Sequence, residues 1–254
     1  MARGSLGVSI TPRAEGTWVI LTADGAVAIP GTPQAGDRMF VLATWKAFGT
    51  TAQITSPTAW TEVTEFADGS VAPAANVGSV KVGAWWRDWQ SGDTQPTIDF
   101  SVSPVPAAAV MVVFAKGQTD AWDTPASATA AIASADPFTA TASSDPGITA
   151  GDLVIALVGI RDDSATFGTR TLTAASVTFA PLVEYPATHA SSTTSNDIAA
   201  DAIYAIAVAG TSSAAPVTTG DLSASETGAA LWIRQRITAG GDDKPTQIMQ
   251  LLAH

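Results

Sequence analysis

Apolar residues along this chain come in short runs of strand length, broken by clusters of Gly, Pro, Ser, Thr and Asp. No run sustains the 3.6-residue period of an amphipathic helix. Five strand-like segments fill the first half: Arg38 to Ala47, Ala59 to Phe66, Ser79 to Gln90, Thr97 to Ser103 and Ala107 to Lys116. Ahead of them, Trp18 to Thr22 and Ala26 to Ile29 flank Ala23-Asp24-Gly25, which reads as a hairpin because Asp-Gly supplies the turn. Residues 1–16 are polar, with Gly and Pro12, and read as an N-terminal arm. Residues 240–254 read as a short C-terminal tail in which Ile248, Leu251 and Leu252 share one face of a helical turn.

The pattern repeats. Gly36-Asp37 opens the apolar run that ends at Thr44, and Gly151-Asp152 opens the run that ends at Gly159. Behind these starts, Trp60-Thr61-Glu62-Val63-Thr64-Glu65-Phe66 aligns with Phe179-Ala180-Pro181-Leu182-Val183-Glu184-Tyr185. Gly92 aligns with Gly210, Pro96 with Pro216, and Met111-Val112-Val113 with Leu231-Trp232-Ile233, all at offsets between 115 and 120. Two copies are too few for a solenoid. The expected fold is all-β: a jelly-roll-like β-sandwich over residues 17–239, made of two pseudo-repeated halves, about 36–117 and 151–238, sharing one core. Two separate small sandwiches are the alternative. Residues 118–149, rich in Ser, Thr, Ala and Pro, read as a connector lying across a sheet. It admits a short helix over Ala126 to Ala133 and an edge strand over Phe138 to Ala142.

Composition narrows the partners. The formal charge of -11 would repel a nucleic-acid backbone or an anionic membrane surface, so proteins or neutral glycans are expected instead. Without cysteine there is neither a disulfide framework nor a thiolate site. The first residues lack the order of a secretory signal, and no apolar run approaches about 20 residues, so a soluble product without a visible export signal is expected.

Groups suited to catalysis are few. His189 lies in a polar stretch and His254 ends the chain, and no Gly-x-Ser-x-Gly motif accompanies either. Glu62, Glu65 and Glu184 could serve glycoside hydrolysis, but the repeat gives Glu65 and Glu184 matching solvent-facing positions, which speaks for surface. Asp162-Asp163-Ser164 and Asp242-Asp243 lack the spacing of a calcium loop. No enzyme, metal or cofactor is expected. More informative is Val80 to Trp89, where alternation puts Val80, Val82, Ala84 and Trp86 on a core face and Lys81, Trp85, Arg87 and Trp89 on the other. Two aromatics with two cations suit contact with another chain or stacking on a sugar ring, unless the connector or the arm covers them.

These segments resemble virion structural proteins of tailed double-stranded DNA bacteriophages, in particular the minor tail proteins of actinobacterial phages. The resemblance rests on Gly36-Asp37, on Pro57-Thr58-Ala59-Trp60-Thr61, on Ala84-Trp85-Trp86-Arg87, on the Ala-rich run from Ala107 to Gly117, and on Gly151-Asp152-Leu153-Val154. It spans about residues 30 to 237 and implies a β-sandwich built into a virion, as a tail-tip (baseplate) component or a capsid decoration protein. It also implies assembly in the host cytoplasm, homo-oligomers, other virion proteins as partners, and host-surface glycan as a further one. Leu6, Val8 and Ile10 of the arm and Ile248, Leu251 and Leu252 of the tail are then the expected assembly anchors.

Overall fold

A computed structural model describes residues 10–46, 54–68, 79–101, 106–117, 120–161, 166–191, 198–223 and 225–238. Their strands in the first half are β1 (Thr11–Glu15), β2 (Val19–Leu21), β3 (Gly25–Ala26), β4 (Arg38–Lys46), β5 (Ile54–Thr55), β6 (Thr61–Ala67), β7 (Val80–Asp88), β8 (Thr97–Phe100) and β9 (Ala107–Ala115). A short β10 (Ala121–Trp122) follows, then β11 (Ala126–Ala135), β12 (Phe138–Thr141), β13 (Leu153–Ile160), β14 (Phe167–Thr173) and β15 (Val177–Phe179). The rest are β16 (Val183–Ser191), β17 (Ala199–Gly210), β18 (Val217–Leu222), β19 (Glu226–Gln235) and β20 (Ile237–Thr238). The described residues contain no helix, so none is long and apolar enough to cross a membrane.

Two large antiparallel sheets form the middle of the molecule. One has the order β1-β9-β4-β7-β6, with β2 also on β9; the other has β11-β19-β13-β17-β15, with β16 also on β17. Each carries a three-stranded sheet on its outer face, β3-β8-β5 on the first and β12-β18-β14 on the second. Between the large sheets lies a central core in which Phe40, Leu42, Val110, Val112 and Phe114 meet Leu153, Ile155, Leu157, Leu231 and Ile233. The outer faces of the same strands fill two flanking cores. Met39, Val41 and Trp45 pack with Ile98 and Phe100, while Val154, Val158 and Trp232 pack with Phe138, Leu172 and Leu222. β4 and β13 are thus buried on both faces, which is why each reads as a continuous apolar run rather than an alternating one. The preference for one shared core and the alternative of two small sandwiches both describe part of this arrangement.

Corresponding positions in the two halves make the same hydrogen bonds. Gly36 and Gly151 have φ of 87° and 95°, a backbone form that suits glycine, and the aspartate after each is buried. Asp37 Oδ2 accepts from Gln34 N and Asp152 Oδ2 from Thr149 N, both at 2.8 Å. The Asp37 carbonyl accepts from Trp89 N (2.7 Å) and that of Asp152 from Ala207 N (2.8 Å). Val27 N donates to Pro96 O and Ala142 N to Pro216 O. The last strands correspond one residue away from the sequence alignment. Met39 sits opposite Val113 and Val154 opposite Arg234, so the counterpart of Met111 is Trp232, not Leu231. A slip of one residue reverses the faces, and Leu231 indeed points into the central core while Met111 points outward.

Several expectations are corrected. Residues 126–133 are not helical. They belong to β11, paired along β19, with Ala128 and Ile132 facing the core. Alanine has the highest intrinsic helix propensity, but that propensity amounts to tenths of a kcal/mol per residue, and a full ladder with alternate burial outweighs it. The connector is therefore largely strand, because Phe138–Thr141 also pairs, with β18. The hairpin around Asp24-Gly25 does not form: β2 pairs with β9 and β3 with β8, in different sheets. Within the arm, Thr11–Glu15 is an edge strand on β9. Ile10 is buried in the central core, so it anchors its own chain, not a neighbour.

Two buried cations on β4 tie the halves together. At its start Arg38 forks onto Asp88 (2.8 and 3.0 Å), stacks 3.9 Å over Trp86, and donates to Asp123 O (2.6 Å) in the segment before β11 and to Gln235 Oε1 (2.8 Å) on β19. At its end Lys46 Nζ donates to Arg161 O at 3.1 Å.

Candidate functional site

The face of β7 opposite the central core was the expected contact surface, and most of it is interior. Trp85 is 0% exposed and lies 6.3 Å from Trp45, ring centre to ring centre. Its indole donates to Ser56 Oγ at 3.2 Å. Lys81 is also buried, and Trp89 is half-buried against the same cluster. Cover comes from β5, β8 and the segment after β5, with Ala14 of the arm packed against the same cluster. Lys81 and Trp85 are therefore not a platform for a partner or a glycan. Arg87 is half-buried and committed to Asp93, through Nε to Oδ2 (3.0 Å) and a short Nη2 contact to Oδ1; its Nη1 donates to Ala59 O at 3.3 Å.

The glutamates do not match as expected. Glu62 sits opposite Trp85 and Glu184 opposite Ile203, which are corresponding positions, whereas Glu65 is opposite Gly83. Burial pushes the Glu65 carboxyl up to about 7, the Glu62 charge adds to this, and Lys81 and the Ile54 N–H oppose it. Glu65 is half-buried, not solvent-facing. In the second half, Arg170 bridges Asp201 (2.9 Å) and the exposed Glu184 (2.5 Å). Asp201 is 3% exposed, and that burial pushes its carboxyl up to about 7 against the pull of Arg170. A carboxyl so enclosed is out of reach of a substrate, so the pair is an internal tie.

What sequence reading missed is a cavity of about 520 Å³ at one end of the first half. One wall is the segment from Thr55 to Trp60, the other the segment from Gly92 to Thr97, with Asp24 and Asp99 at the edge. Trp60 N donates to Pro57 O (2.9 Å) in a turn that holds Ala59 at φ 67°. The second half has the same turn, with Val177 N donating to Ala174 O (3.1 Å) and Ser176 at φ 66°. There, however, the next residues form β15 and pair with the end of β17, closing the gap. Gly92 and Gly210 register the difference directly. A Cβ on Gly210 would lie 1.9 Å from Ser176 O, while one on Gly92 would meet nothing within 4 Å. The signal in the sequence was the Pro57-Thr58-Ala59-Trp60 turn itself, but only its pairing partner distinguishes an open turn from a closed one.

Among the described residues no group of three or more His, Cys, Asp or Glu is placed to hold a metal ion. Leu6, Val8, Ile248, Leu251, Leu252, His254, Asp162-Asp163-Ser164 and Asp242-Asp243 lie outside the described residues. His189 falls within β16. No protein-family model, curated protein or solved structure matches the chain.

Proposed function

We propose that this chain is a structural protein of a tailed bacteriophage particle, a minor tail component at the tail tip, whose role is architectural rather than catalytic. The observation that carries the reading is the stack of four β-layers, in which two halves with corresponding strand orders are joined through their large sheets. We read each half as a jelly roll, an architecture that virion proteins use to make rigid blocks without long exposed edges. The Gly36-Asp37, Pro57 to Thr61 and Gly151-Asp152 segments that resemble phage tail proteins are the turns that position this stack. The chain also enters and leaves the described structure beside one turn. Thr11 pairs with Ala115 next to the Arg13–Asp37 ion pair, and Ile237 pairs with Trp122, whose indole donates to Gly36 O (2.7 Å). The first and last described residues, Ile10 and Thr238, thus lie near the same turn.

Electron microscopy of particles carrying the tagged chain tests the assignment: label at the tail tip is expected, and purified particles without the chain would refute it. Deleting residues 246–254 is expected to leave a folded protein that no longer joins the particle. Unchanged incorporation would remove Ile248, Leu251 and Leu252 as anchors.

A further inference from the structure

We propose that the cavity between Thr55–Trp60 and Gly92–Thr97 is a binding site for a short neutral saccharide. The inference goes beyond a structural role and stands on the isolated protein. Three observations carry it.

The first is that the opening is particular to one half. Both halves have the same positive-φ turn, and in the second the gap is zipped shut by β15 on β17. In the first half the chain runs from this turn directly into β6, with Thr61 already opposite Trp86, and has no counterpart of β15. Arg87 is fixed by Asp93 and donates to the Ala59 carbonyl, which ties the turn to the end of β7 beside the Asp93 wall. Asp93 is held in turn by Gln90 N at 2.8 Å, so the open form is braced from both walls.

The second is size and lining. About 520 Å³ lies within the range of small-ligand sites and fits two or three sugar rings. The rim carries Thr55, Ser56, Thr58, Thr94, Gln95 and Thr97, and all six are exposed. Hydroxyls and an amide both donate and accept, as ligand hydroxyls require. Pro57, Trp60 and Pro96 add a small apolar part to a lining that is otherwise mostly polar.

The third is charge. Arg87, the cation of the lining, is spent on Asp93 and Ala59. The exposed carboxylates are Asp24, whose Oδ1 accepts from Phe100 N (2.9 Å), and Asp99. A site with acceptors of this kind and a committed cation disfavours phosphate, sulfate or uronate and favours neutral hydroxyl donors.

The test is backbone amide NMR on the full chain, titrated with cellobiose, maltose and N,N′-diacetylchitobiose, and with a glucuronic-acid-containing disaccharide as the anionic counterpart. Saturable shifts confined to residues 55–60 and 92–99 are expected with at least one neutral disaccharide, at a Kd on the order of 1 mM. Thr58→Trp and Thr94→Trp, both at exposed positions, should each weaken binding at least about tenfold while the remaining amide spectrum is unchanged. Should either variant fold poorly, the shift map of the unaltered protein still decides. The proposal is overturned by shifts that do not saturate, by shifts centred elsewhere, by binding that survives both substitutions, or by a preference for the uronate.

Discussion

Arg38→Ala tests whether the two halves are held by specific polar contacts or by apolar contact alone. Arg38 is 2% exposed, and its guanidinium reaches two acceptors outside the first half, Asp123 O in the segment before β11 and Gln235 Oε1 on β19. Each charge-assisted bond to a buried neutral acceptor is worth about 1.5–3 kcal/mol. Asp123 O keeps a bond from Gln235 Nε2 (2.9 Å), so the substitution leaves chiefly Gln235 Oε1 without its donor. The Asp88 pair adds at most about 1 kcal/mol because that carboxylate is 41% exposed. Stacking on Trp86 adds about another 1 kcal/mol. The expected cost is about 4 kcal/mol, a large share of the roughly 5–15 kcal/mol that holds a protein folded. With a urea slope of about 3 kcal/mol/M the midpoint falls by about 1.3 M at unchanged slope. Arg38→Lys, which keeps charge but not the planar fork, should lose about half of that. A double-mutant cycle with Gln235→Ala should return a coupling of about 1–2 kcal/mol. A midpoint shift below about 0.3 M, or zero coupling, would show that the central apolar core carries the interface unaided.

Gly92→Ala and Gly210→Ala start from the same φ, 94° and 91°, so both carry about 1–2 kcal/mol of backbone strain, but only the second drives a Cβ into Ser176 O. Gly210→Ala should cost at least about 2 kcal/mol more by urea denaturation, and equal costs would mean that β15 is not seated on β17. Asp201 holds its proton to about 7 when folded, against 3.8 for the free group, so the folded state binds more protons across that window. Its contribution is therefore fullest below pH 3.8 and declines as pH rises toward 7. Asp201→Asn should remove up to about 1.4 kcal/mol per pH unit of that slope, and Glu65→Gln should remove the share of Glu65, which is raised in the same direction. A wild-type slope retained in Asp201→Asn would refute the assignment. Trp85→Phe should remove a blue-shifted emission component that iodide does not quench, since Trp85 has no exposed surface, and should cost about 1 kcal/mol through the lost bond to Ser56. Loss of an iodide-accessible component instead would place Trp85 at the surface.

Much of the framework was legible because it is written in local chemistry. Gly36-Asp37 and Gly151-Asp152 each combine a residue free to take positive φ with a side chain that caps its own turn, so the strand starts could be read from the chain. The apolar runs behind them marked strands, and the structure explains their continuity by burial on both faces. The function of the β7 face could not be read in this way. Alternation puts Trp85 and Arg87 on one face, but whether that face is wet depends on β5 and β8, which reach it from other parts of the chain. The same limit explains Ala126 to Ala133, where the helix propensity of the alanines gave way to the ladder imposed by their partner β19. The sequence by itself thus determined most of the strands, the two Gly-Asp turns and the all-β class, since these depend on residues within a few positions of each other. Only the tertiary structure decided which face was covered, which register the last strands took, and why one of two equivalent turns stands open. The first two outcomes are set by contacts between residues tens to hundreds of positions apart, and the third by a turn that leads directly into β6 in one half and into β15 in the other.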